Sequence, residues 1–153
     1  MDPKIEQALR VVRILKISFI VAGLMFLYLV LKLPAKAAPP MQPAFELIIS
    51  AFALTNVVLG FILPGFIARA ALRNQSSTRP PTTPMQGWFS GCCISLTFFQ
   101  SCNLFGLLLH FLGARVLVVG SLFAAGLLAM LFWSPGEPPA DEGVSPTPMF
   151  PGA

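Results

Sequence analysis

Residues 97–113 read TFFQSCNLFGLLLHFLG, a run apolar enough for a lipid bilayer that still carries Gln100, Asn103 and the single histidine of the chain, His110. Hydrocarbon offers an amide no hydrogen-bond partner, so these groups constrain where the segment can face. On a helix turning about 100° per residue, with Gln100 at zero, Asn103 falls at about −60°, His110 and Cys92 at about −80° and Cys93 at about +20°. The awkward side chains share one stripe. It should turn toward other helices or a small wet cavity, and away from lipid.

Composition supports the bilayer reading. The chain has 153 residues, of which 56% are hydrophobic and 10% charged, with a mean hydropathy of +0.78. Soluble domains carry about a quarter charged residues. About 20 apolar residues are needed to cross about 30 Å of hydrocarbon, and four stretches qualify or nearly so: about 14–33, 45–67, 88–111 and 116–133. The expected fold class is all-α, a polytopic four-transmembrane-helix bundle formed by residues 1–133.

The connections are read from their punctuation. LPAKAAPPMQP at 33–43 holds four prolines and breaks the helix, while RNQSSTRPPTTPMQG at 73–87 is polar and proline-rich and reads as a solvated loop. GAR at 113–115 is so short that the third and fourth helices must be antiparallel neighbours. Residues 134–153, rich in proline and glycine with Glu137, Asp141 and Glu142, are expected to form a disordered acidic tail.

Lysine and arginine placement gives an orientation. Lys4, Arg10, Arg13, Lys16, Arg69, Arg73 and Arg79 lie on one side, against Lys32, Lys36 and Arg115 on the other. The positive-inside bias then puts both termini in the cytoplasm, in the cell membrane, which is the inner membrane in a Gram-negative cell. The net charge of +4 fits anionic headgroups and calls for no nucleic acid. A second reading of the N-terminus stays open: the apolar run Ile17–Leu31 followed by Ala35, Lys36 and Ala37 has the pattern of a signal peptide, in which case residues 1–37 are cleaved. The length of both regions favours an uncleaved anchor.

The second span offers the stripe a partner. Ala53, Asn56, Gly60 and Pro64 recur at spacings of three and four, giving a narrow face of small groups around one amide. Asn56 and Gln100 sit at similar depth on antiparallel helices, so a hydrogen bond between them is expected near the midplane, worth about 0.6 to 2 kcal/mol. Gly106 belongs with the small packing residues. In the fourth span Gly120 and Ala124, like Ala125 and Ala129, form small pairs at i, i+4 that favour helix association within the chain or between copies. Met25, Phe26 and Tyr28 read as lipid-facing bulk.

Little is present for chemistry. Paired carboxylates, a phosphate-cradling loop and a nucleophile with its base are all missing from the sequence, so no enzyme and no catalytic residues are expected. His110 could ligate haem or a metal, but there is no second histidine, and the reading preferred is a neutral, hydrogen-bonded side chain near the interface. Cys92, Cys93 and Cys102 have no metal or redox spacing and read as reduced packing residues. No cofactor and no metal are expected. The partners are the lipid bilayer and either further membrane subunits or copies of the chain.

The chain looks like a small four-span bacterial-type membrane protein, and the run QSCNLFGLLLHFLG resembles the second helix of the rotary ATP synthase subunit c hairpin. Gln100 stands at the carboxylate position, with Leu104, Phe105, Gly106 and Leu107 at matching offsets, and SAFALTNVVLG and ARAALRNQ are similar to the first helix and loop. The resemblance runs from Ala44 to Phe111. It lacks the repeated glycine motif, its loop is longer, and two more spans flank it. In that family the midplane carboxylate carries the proton or helps ligate sodium. An amide cannot titrate. Two functions are therefore expected from the sequence: a non-catalytic helix-packing, scaffold or accessory subunit, and, as the alternative, a proton- or ion-translocating subunit related to subunit c.

Overall fold

The computed structural model describes residues 3–33, 41–73 and 84–138. The expected disordered tail beyond residue 138, the Ala35–Ala37 cleavage pattern and the loop carrying Arg79 lie outside them. The described residues form four α-helices: α1 (Pro3–Lys32), α2 (Pro43–Arg73), α3 (Pro84–Phe111) and α4 (Val116–Phe132). Three of these are long and apolar enough to cross a membrane, over Ile5–Lys32, Pro43–Ile67 and Met85–Phe111, while α4 is a shorter apolar helix of 17 residues.

Proline punctuates this layout. Pro3, Pro43 and Pro84 each open a helix, where a missing N–H is harmless and the fixed φ suits the first turn. The turn from α3 to α4 closes on Gly113, whose φ of 78° is left-handed and suits a residue without Cβ. Ala114 N–H donates to Leu109 O at 3.0 Å and Gly113 N–H to His110 O at 3.1 Å, the paired bonds of a Schellman cap. The tight turn makes α3 and α4 antiparallel neighbours, as its length in sequence implies.

The third helix is the axis of the bundle. It packs against all of the other three, whereas the α1 and α2 backbones do not come within 8 Å of each other, Cα to Cα, among the described residues. Half of the most apolar window of α3 is buried inside the protein, against 6% of that of α1. The outer surface is correspondingly apolar, with Leu31, Leu47, Phe66, Val116, Leu117 and Phe132 all exposed. A face of this kind suits hydrocarbon better than water.

Inside, the apolar core is divided in two. One cluster gathers Val12, Cys92, Leu96, Phe99, Ala129, Met130 and Trp133. The other holds Ala53, Cys102, Leu109, Val119, Leu122 and Phe123. Between them, at the level of Gly23, Gln100, Asn103 and Gly126, lies a polar layer.

Candidate functional site

The polar layer is built on α3. Asn103 is fully buried and Gln100 nearly so, and Asn103 Nδ2 donates to Gln100 Oε1 at 3.1 Å, one turn back on the same helix. Two glycines from other helices make room for Asn103. A Cβ built on Gly23 of α1 would stand 2.8 Å from Asn103 Nδ2, and one on Gly126 of α4 would stand 2.5 Å from Asn103 Oδ1. That Oδ1 has no hydrogen-bond partner among the described residues. It rests against the Gly126 backbone, where a weak Cα–H donor is what α4 can present.

The amides expected to meet do not. Asn56 is buried, but its Nδ2 donates to Ser101 Oγ at 3.1 Å, and Gln100 is engaged with Asn103 instead. The reason lies in the rotation of α3. Gly60 of α2 admits the Phe99 ring and Phe98, so α2 lies against the side of α3 that carries Phe98, Ser101 and Phe105. Ser101 is about 100° around the helix from Gln100 and reaches α2 first. Asn103 turns toward α1 and α4, and Gln100 is hydrogen-bonded to it.

A second interlock joins α2 and α3 nearer the other end. Pro64 lies inside α2 and cannot donate to the carbonyl four residues back. That carbonyl belongs to Gly60, and Ser95 Oγ of α3 donates to it at 2.8 Å, while also lying 3.1 Å from Gly91 O. Gly91 in turn admits the Pro64 ring, since a Cβ there would stand 3.3 Å from Pro64 Cβ. The backbone acceptor freed by proline is thus satisfied by a neighbouring helix, as irregular helices in lipid require.

Basic groups finish the helix ends. Lys16 Nζ donates to Leu131 O at 3.1 Å and Trp133 O at 2.7 Å and so caps the C-terminus of α4. His110 is buried, with Nε2 at 2.9 Å from Leu33 O just past α1. A carbonyl only accepts, so Nε2 carries the hydrogen. At the start of α2, the buried Glu46 carboxylate takes the Arg115 backbone N–H at 3.1 Å and its Nε at 3.2 Å.

The small residues divide. Ala53, Gly60 and Gly106 are buried, with Gly106 seated on the Phe123 ring at 3.0 Å from a built Cβ. Gly120 and Ala124 are exposed, and nothing lies within 4 Å of a Cβ on Gly120, so this pair does not pack inside the chain. Ala125 and Ala129, one position around, point inward. Phe26 is half-buried against the second cluster, while Met25 and Tyr28 are exposed. Cys92 and Cys102 are buried free thiols and Cys93 is half-buried.

Sequence reasoning missed Gly23, Gly126, Ser95 and Ser101. A signal existed for Ser95, because an intrahelical proline announces an orphan acceptor four residues earlier. Gly23 is an isolated glycine in a hydrophobic run, and nothing local distinguishes its role. Among the described residues no three of His, Cys, Asp or Glu converge as a metal site.

Fold and site together define an all-helical, membrane-compatible bundle whose deep amides are enclosed by its own helices. In comparisons with family models, curated proteins and solved structures, nothing matches this chain.

Proposed function

We propose that the chain is an integral membrane protein crossing the bilayer four times, with both termini in the cytoplasm, and that it acts as a non-catalytic packing, scaffold or accessory subunit. The observation that carries this reading is the enclosure of Asn103 between Gly23 and Gly126, with the buried Gln100 hydrogen-bonded to it. Side chains lining a conduction path must exchange partners with a passing ion. Here Asn103 donates to Gln100, and glycine backbones close around Asn103.

The lysine and arginine distribution supports the orientation. The fourth crossing is short: 17 residues rise about 25 Å, below the about 30 Å of hydrocarbon, and local thinning of the bilayer around Arg115 and Trp133 accommodates the difference. The exposed Gly120–Ala124 face is available to another membrane subunit or a second copy.

Proton flux into liposomes holding the purified protein tests the reading. The expected result is an undisturbed pH gradient for both wild type and Gln100→Leu. A gradient dissipated by wild type and preserved by Gln100→Leu would overturn the packing role in favour of the translocating alternative related to subunit c. Reporter fusions at the two ends, active only in the cytoplasm, check the orientation.

A further inference from the structure

Away from the polar layer, α2 and α4 border a groove of about 310 Å³ lined by Glu46, Leu47, Ala51, Leu54, Arg115 and Val118, with Ser50 and Ser121 on its sides. We propose that this groove holds one glycerophospholipid of the surrounding leaflet, its phosphate on the Arg115 guanidinium and one acyl chain between the helices.

Three observations carry the assignment. The first is length. The α2 lining runs from Pro43 to Leu54, about 16 Å at 1.5 Å per residue, which matches half of a hydrocarbon core of about 30 Å. The groove therefore fits the acyl chain of one leaflet, starting at the end where α2 begins.

The second is the chemistry of the walls. Ser50 Oγ donates to Glu46 O at 2.7 Å and Ser121 Oγ to Val118 O at 2.8 Å, so both hydroxyls are satisfied by their own helices. What they present to the groove is small and effectively apolar. Small, internally bonded sides and the aliphatic Leu47, Leu54 and Val118 suit a hydrocarbon chain better than a polar ligand.

The third is charge at the mouth. Arg115 uses its Nε and backbone N–H on Glu46, whose side chain is 4% exposed, while its own side chain is 74% exposed. Among the described residues the terminal guanidinium nitrogens have no protein partner. They form the kind of planar donor pair that matches a phosphodiester. Glu46 neutralises one edge of the guanidinium and fixes its position, and the other edge faces the headgroup region.

The test uses the full chain, delipidated in mild detergent and titrated with phosphatidylglycerol under native mass spectrometry. One lipid is expected to bind per chain at low micromolar concentration. Diacylglycerol, which keeps the acyl chains and lacks the phosphate, should bind at least tenfold more weakly. Ser121→Phe fills the groove and leaves the ion pair in place; it should weaken phosphatidylglycerol at least tenfold with unchanged helical content by circular dichroism. Arg115→Met should also weaken binding, and the Ser121 variant keeps the proposal testable if Arg115→Met fails to fold. Equal binding to wild type and Ser121→Phe, equal binding of the two lipids, or a lipid-free dimer as the sole species would each overturn it.

Discussion

The first and second helices both lie on α3, and they are held in different ways. The second is seated by shape: Gly60 and Gly91 let Phe99 and Pro64 approach closely, and Ser95 bridges the two backbones. The first also packs Val12 and Phe26 into the two apolar clusters, but its close and polar contacts are separate points: Gly23 over Asn103, Lys16 on the carbonyl end of α4 and His110 on Leu33 O. Between lipid-facing helices there is no hydrophobic gain from association, so close packing and interhelical hydrogen bonds are what remain. A seam made by shape distributes that attraction over its length. Point contacts concentrate it, so α1 should separate before α2 does.

The contrast can be broken most severely at Gly60. A Cβ there would stand 2.7 Å from the Phe99 ring and 3.2 Å from Phe98 Cβ, so Gly60→Leu should cost about 3 kcal/mol and lower the stability of the whole bundle in one transition. Thermal unfolding in detergent followed by circular dichroism measures this. Gly23→Leu should cost less, about 2 kcal/mol, because α1 as a whole can shift outward from Asn103 Nδ2 at 2.8 Å and Leu127 at 2.9 Å. Its distinguishing sign is local: hydrogen exchange should quicken in α1 and stay unchanged in α2 and α3. Equal quickening in all three would show that the two seats do not differ.

A double-mutant cycle sharpens the shape-based side. Ser95→Ala leaves the Gly60 carbonyl unpaired and should cost about 1 to 2 kcal/mol in a chemical unfolding titration. Pro64→Ala restores the intrahelical N–H, so adding it to Ser95→Ala should recover most of that loss. Additive losses would mean that Ser95 matters for some other reason. The smallest effect belongs to the point contacts: Lys16→Met, which keeps the aliphatic stem and removes the cap of α4, should cost about 1 kcal/mol, read as a lowered Tm.

Much of this arrangement was visible in the chain. The lengths of the apolar runs place the helices, and the stripe of Cys92, Gln100, Asn103 and His110 is a consequence of helical angle alone; all four are buried. Helix rotation was not visible. Whether residue 100 or residue 101 meets Asn56 depends on how Phe98 and Phe99 fit against Gly60, a matter of volumes on two distant segments. Gly120–Ala124 and Ala125–Ala129 have the same spacing and nearly the same composition, so only the bundle decides which pair points inward. The Glu46–Arg115 pair was legible in principle, since opposite charges stand at the N-terminal ends of α2 and α4, which run parallel to each other with α3 between them in sequence.

The Ser95 bond to Gly60 also bears on how the protein is made. A nascent chain that has delivered α2 to the translocation machinery, and not yet α3, holds one backbone acceptor that lipid cannot match. The missing hydroxyl lies 35 residues later. If α2 and α3 cross the bilayer as proposed, synthesis of this protein should hold α2 in a watery or proteinaceous shelter until α3 arrives, and release the two as a hairpin.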